Sequence, residues 1–276
     1  MMTRFVAALC AVSGAAVALA GCGASQIIDP VSKAAAVTVS AKGYRMSAVM
    51  SITGGSAPVS ARVTGTIDTA ADSGTMSMSE TLGAVQVRAP MIFQRLNFWM
   101  RSAAIPGAID VTGGKPWIYV DMHKALGAIG IGSLPGAVDP SQFLNYLTAV
   151  SANPTRVGTV SIHGVATTEY RAVIDLGSYA QQFPASAATV VALESALGSH
   201  TMPVEAWIDG QNRVRRIHVA FPECVAGSKV HFSLTMGIYD FGPQPQAQIP
   251  LRNAVYNLTP ELTHTYRGVK LGCTSG

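Results

Sequence analysis

From position 43 onward, apolar and polar side chains alternate along the chain. Between Tyr44 and Thr53, Tyr44, Met46, Ala48, Met50 and Ile52 fall on one face, and Arg45, Ser47, Ser51 and Thr53 on the other. A period of two puts one face on a core and the other in water, which is the pattern of a half-buried antiparallel strand. The same pattern, bounded by turn residues, predicts strands over 62–68, 74–80, 84–88, 91–95, 97–102, 117–121, 156–163, 167–175, 204–209, 213–221 and 229–239. Short strands at this spacing predict a large antiparallel sheet. Asp209-Gly210 and Gly164 mark hairpin turns.

Three stretches leave this period. Asp29-Pro30 supplies an N-cap and a first-turn proline for an alanine-rich helix over 31–42, ended at Gly43. Asp139-Pro140 repeats the signal, and Phe143, Leu144, Leu147 and Val150 then form one apolar stripe. A third helix is predicted over about 185–197, with Val190, Leu193 and Leu197 on one face and Gly198 as its stop. No repeat period and no long linker divides the chain, so residues 28–276 read as one α+β domain. Residues 122–138 fit neither period. They carry four glycines, yet Leu126, Ile129, Ile131, Leu134 and Val138 need shelter from water. This predicts a hydrophobic loop suited to the mouth of an apolar cavity. Met46, Met50, Met76, Met78, Met91 and Met100 populate neighbouring strands, and methionine suits changeable partners. The alternative for both features is ordinary core.

The first 27 residues follow a different logic. One positive charge at Arg4 precedes an uncharged, mostly Ala/Val/Leu run from Phe5 to Leu19. That run suits a signal peptide and is short for a membrane span, which needs ~20 residues. Leu19-Ala20-Gly21-Cys22 follows directly, the order and position of a lipobox. Residues 1–21 therefore read as a signal, Cys22 as the lipidated residue and 22–27 as a tether. Two or three acyl chains on Cys22, at about 0.8 kcal/mol per buried CH2, would hold the chain at a membrane outside the cytoplasm.

Composition agrees with export of a folded domain. Charged residues are 12% and hydrophobic ones 49%, enough for a sizeable core. Losing Arg4 with the signal lowers the formal charge from +4 to +3. No Lys/Arg-rich run is present, so nucleic-acid binding has no support. With Cys10 removed and Cys22 acylated, Cys224 and Cys273 remain as an even pair in an oxidising compartment. They are expected to be bridged; the alternative is two buried thiols.

Catalytic signatures are missing. There is no G-x-S-x-G, P-loop, G-x-G-x-x-G or H-E-x-x-H. No cofactor and no metal site is expected. His218 and His231 lie on successive predicted strands and could meet across the sheet, although surface positions suit them as well. Asp68, Glu80, Asp121, Glu169, Asp175 and Asp209 sit mostly at strand ends and read as solvated. Arg213, Arg215 and Arg216 form a basic patch that either meets an anionic head group or guards a sheet edge.

The order of several short motifs carries a resemblance. The lipobox, a short helix and antiparallel strands lead to Gly114-Lys115-Pro116-Trp117-Ile118-Tyr119-Val120-Asp121. Asp139-Pro140 with its helix and Val165-Ala166-Thr167-Thr168-Glu169-Tyr170 follow, and then Met202-Pro203-Val204-Glu205-Ala206-Trp207-Ile208-Asp209 with the basic hairpin. Over roughly residues 28–245 this resembles the actinobacterial LppX/LprA/LprF/LprG lipoproteins. The resemblance implies a large curved antiparallel β half-barrel, similar to LolA and LolB, with helices packed on the concave face around a hydrophobic cavity. It also implies a non-enzymatic protein that binds acylated lipids or glycolipids and helps carry them from the inner membrane toward the outer envelope. A monomer, anchored to the membrane by lipid and served by an inner-membrane transporter, would fit that role.

The cavity would then be lined from the strands by Met46, Met50, Ile52, Phe98 and Val204. Leu126 and Ile129 would line it from the loop, and Leu144, Leu147, Val190, Leu193 and Leu197 from the helices. The competing reading is a non-catalytic interaction or sensor lipoprotein whose cavity is filled by side chains. The lipobox assignment makes a direct prediction. Cys22→Ala expressed in an actinobacterial host should lose incorporation of a clickable palmitate analogue and leave the membrane pellet. Retained label would place acylation elsewhere.

Overall fold

The computed structural model of the chain describes residues 29–54, 59–82, 85–105, 108–129, 140–225 and 228–265. Cys22, Cys273, Asp139 and residues 130–138 lie outside these, as do the side chains of Cys224, Leu126 and Ile129. The lipidation site and the expected Cys224–Cys273 bridge therefore fall outside the described residues.

The described strands are β1 (Gly43–Thr53), β2 (Val59–Asp68), β3 (Ser73–Leu82), β4 (Val85–Gln94), β5 (Asn97–Arg101) and β6 (Trp117–Asp121). They continue as β7 (Val150–Ile162), β8 (Val165–Asp175), β9 (Thr201–Asp209), β10 (Val214–Val225), β11 (Ser228–Tyr239) and β12 (Val255–Asn257). All belong to one open sheet in the order β12-β6-β5-β4-β3-β2-β1-β11-β10-β9-β8-β7. Neighbours are antiparallel except β12, which runs parallel to β6. Strands follow the chain outward from β1 to β6 on one side and from β11 back to β7 on the other. The β1–β11 pairing, with Met46 opposite Ile238 and Met50 opposite Leu234, joins the two halves. Open sheets of more than about ten twisted strands curl rather than stay flat.

Around the strands lie α1 (Pro30–Val39), α2 (Ala108–Val111), α3 (Met122–Ile129), α4 (Pro140–Tyr146), α5 (Leu176–Gln182), α6 (Ala187–Leu197) and α7 (Thr259–Thr265). Carboxylates start three of them. Asp29 accepts from Val31 N at 2.8 Å, Asp175 from Ser178 N at 2.6 Å and Asp121 from Lys124 N at 3.2 Å. Each satisfies a backbone donor that the first turn leaves unpaired. Gly198 ends α6 at φ 63, where a side chain would be strained. His163 and Gly164, at φ 49 and 78, form the two-residue turn between β7 and β8.

Two sequence expectations are corrected. The stretch 122–138 does not begin as a loop, because Met122–Ile129 is helical. Only Gly127 of its four glycines lies in that helix, Asp121 caps it, and α3 packs on α7. The strands expected over 84–88 and 91–95 are one strand, β4, running through Pro90. Pro90 stands opposite Ser77 of β3, and pairing with β5 begins only at Met91, so its missing N–H lies where the β5 ladder has ended. The C-terminal β12 and α7 have no periodic signal. They are held by Asp121 N donating to Thr259 Oγ1 at 2.9 Å and by Lys115 Nζ donating to the Val255 carbonyl at 3.1 Å. No helix among the described residues is long and apolar enough to cross a membrane.

The basic hairpin is also not a free patch. Asp209, 6% exposed, accepts from Gln211 N at 2.9 Å and Arg213 N at 3.0 Å, and pairs with Arg213 at 3.0 Å and Arg215 at 2.7 Å. The two guanidiniums lie over the Phe241 ring at 4.6 and 4.9 Å, which ties the segment after β11 to the β9–β10 hairpin. Burial alone would raise the Asp209 carboxyl, but its hydrogen bonds outweigh burial and hold it below the usual carboxylate range. A lowered folded value means that Asp209 adds stability above its unfolded pKa, near 4. That stability is lost as pH falls through the lower folded value. Asp209→Ala should cost about 2–3 kcal/mol at neutral pH. Its urea midpoint should also vary less than that of the unsubstituted protein as pH drops below about 4. Equal pH dependence in the two would contradict this.

Candidate functional site

Strand register turns the alternation of single strands into continuous rows on the helix-facing side of the sheet. One row runs Ile238, Met46, Gly65, Met76, Met91, Met100, Ile118 across seven strands, from β11 through β1 to β6. A second runs Tyr44, Ile67, Gly74, Phe93, Phe98, Val120. A third runs Ile217, Met236, Ala48, Val63, Met78, Ala89. The two glycines within the rows are places where neighbours come close. A Cβ on Gly65 would collide with the Thr75 carbonyl oxygen and stand 2.8 Å from Met76 Cγ, and one on Gly74 would collide with the Thr66 carbonyl oxygen and the Phe93 ring. Without those methyl groups the sulfur side chain and the ring lie across the neighbouring strand.

The helices cover this face unevenly. Among the described residues, α1, α5 and α6 pack principally on β7–β10, and α3 packs on β5 and β6. Thr38 fixes α1 to the sheet by donating to the Ala34 carbonyl at 2.8 Å and accepting from Val214 N at 2.8 Å. A stack of aromatic rings joins α4 and α5, with Tyr146 and Tyr179 4.2 Å apart and Phe183 4.8 Å beyond Tyr179. Burial pushes the Tyr146 phenol far above its ordinary range, so it stays neutral. Met50, Ile52, Val63 and Met91 on the strands between these covers, and Phe98 on β5 at the α3 side, are only partly buried against the core.

The residues expected to line a cavity divide along that boundary. Met46, Leu144, Leu147, Val190, Leu193 and Val204 are fully buried in one continuous cluster. Met50, Ile52, Phe98 and Leu197 sit at its partly exposed margin. The side chains of Leu126 and Ile129 lie outside the described residues. Val63, Met91 and Met100 share the margin or its rows, and only register reveals that they do.

The polar candidates have structural roles. Asp68 accepts from Ala70 N and Ala71 N, Asp121 and Asp175 cap helices, and Asp209 organises its hairpin. His218 meets Thr235 Oγ1 at 2.9 Å, whereas His231 stands opposite Pro222, so the two histidines do not pair. Among the described residues, no group of His, Cys, Asp or Glu could hold a metal ion.

No family model matches the sequence, and no curated protein is similar to it. Solved structures are. Lipoprotein LppX of Mycobacterium tuberculosis overlaps 79% of this chain and 96% of its own at 14% identity and a TM-score of 0.46. LprF from Mycobacterium bovis overlaps 80% and 94% at 14% identity and 0.42. A LolA superfamily protein from Nitrosomonas europaea overlaps 80% and 93% at 7% identity and 0.29. The chain resembles the LppX/LprF lipoproteins. The similarity concerns the course of the chain through an open, mostly antiparallel sheet.

The glycine positions on the apolar face give a stability test. Gly74→Ala forces the Phe93 ring or the β2–β3 ladder to move and should cost about 1–3 kcal/mol. Gly158→Ala, on β7 where a Cβ meets nothing within 4 Å, should change stability by about 0.5 kcal/mol or less. Equal urea midpoints for the two variants would show that Gly74 is not closely approached by the β2 backbone and the Phe93 ring.

Proposed function

We propose that this chain is a lipid-anchored, extracytoplasmic protein that receives acylated lipids or glycolipids against the apolar sheet face and helps carry them from the inner membrane toward the outer envelope. The observation that supports this is the strip of Met50, Ile52, Val63, Met91 and Phe98, half-buried between the two helix covers and at the α3 side. A single long acyl chain exposed to water costs on the order of 10 kcal/mol, so it leaves a bilayer only for an equally dry site. A strip containing methionine would offer such a site and adapt to chains of differing length. No step of this transfer requires bond-making, which fits side chains used for capping and pairing.

A second reading is favoured by one observation. Six of the expected lining residues are packed as tightly as a solid core, which suits a non-catalytic interaction protein. Native mass spectrometry separates the two, using the mature chain from position 22 with Cys22→Ser, purified from an actinobacterial host. The carrier reading expects a copurifying di- or triacylated lipid. Met91→Gln should weaken its retention about tenfold, the effect of 1.4 kcal/mol, whereas Val191→Gln on the exposed side of α6 should not. An apo mass that stays unchanged after incubation with envelope lipids would overturn the carrier reading.

A further inference from the structure

On the opposite face of β1–β4 the alternation has placed a different chemistry. Val49, Arg62, Ser79 and Arg88 stand in register across the four strands, and Thr64 and Ser77 form the next pair along. With Ser60 they line a groove of about 490 Å³. That lies within the roughly 300–1,000 Å³ typical of small-molecule sites.

The lining is one-sided in charge. Two guanidiniums and four hydroxyls face the groove, and among the described residues no carboxylate does. Among the described residues, the ion pairs involve other cations: Arg45, Lys124, Arg171, His200, Arg213 and Arg215. Arg62 and Arg88 are both exposed and stand two strand spacings apart, roughly 10 Å between Cα atoms. Two such side chains reach a common point between them, where their charges repel unless an anion intervenes. Guanidinium presents paired N–H donors that match the oxygens of phosphate, and hydroxyls add single donors around them. A cation would be repelled, and a purely apolar ligand would displace water from two guanidiniums without replacing its hydrogen bonds.

We propose that this outward groove is a phosphate-binding site, with Arg62 and Arg88 as the charged clamp and Ser60, Thr64 and Ser77 as hydroxyl donors. Its volume accommodates a phosphate carried on a polyol or sugar as well as the bare ion. The site lies on the opposite side of the sheet from the apolar strip and does not rest on the lipid-carrier reading.

The test uses the same Cys22→Ser mature chain. Inorganic phosphate is titrated at constant ionic strength and followed by amide chemical shifts. Sedimentation is measured with phosphatidylglycerol vesicles and with phosphatidylcholine vesicles. Saturable phosphate binding is expected, weakened at least tenfold in Arg62→Gln/Arg88→Gln and unchanged in Arg216→Gln, which lies outside the groove. The circular dichroism of the double variant should match that of the unsubstituted protein, because both arginines are exposed. Phosphate-competed sedimentation with phosphatidylglycerol alone, lost in the double variant, assigns the phosphate to a lipid head group. Phosphate binding without sedimentation assigns it to a soluble phosphate compound. Absence of saturable phosphate binding, or binding equal in the double variant, overturns the proposal.

Discussion

The structure depends on keeping one face of a very wide sheet away from water. Apolar rows cross β11, β1 and on toward β6 without a polar interruption, so the sheet cannot exist as an isolated layer. Helices α1, α5 and α6 dry one flank and α3 the other. Between the covers and at the α3 side, the partly exposed remainder is methionine, valine, isoleucine and phenylalanine rather than polar residues. A packed core and a partly exposed apolar margin thus belong to the same face.

Polar groups serve this arrangement at its ends. Asp29, Asp121 and Asp175 start helices where strands or linkers finish, and Asp209 closes the β9–β10 hairpin while holding two arginines over Phe241. Each of these four carboxylates is held by backbone donors, and Asp121 and Asp209 also by cationic side chains. The outward face differs from both. Its arginines at positions 62 and 88 share a groove with hydroxyls, so the sheet presents grease on one side and anion chemistry on the other. A strand achieves this with no added element, because its side chains alternate.

Much of the architecture was readable from the alternation itself. The period of two located β6 at 117–121 and gave the inner residues Tyr44, Met46, Ala48, Met50 and Ile52 of β1 before any pairing was known. The helix at 187–197 and its stop at Gly198 followed from spacing and from the one residue that tolerates positive φ. The helix at 122–129 was hidden because propensity averaged over 122–138 counts glycines that lie beyond it. β12 was hidden because three residues carry no period.

The sequence by itself determined the alternation of side chains along each regular strand, since the pleat is local geometry, whereas the register shifts in β7 and β10 were set by pairing. It also determined where α1 begins, since the Asp29 carboxylate caps within one turn, whereas the caps at Asp121 and Asp175 emerged only in the structure. Tertiary structure alone decided the register that aligns Met46, Met76, Met91 and Met100 into one row and sets Arg62 beside Arg88 across β3. It also decided that β1 pairs with β11, and that the basic hairpin closes on Asp209 instead of facing a partner. These are contacts between residues far apart in the chain. Their energies depend on pairing and burial that no local window contains.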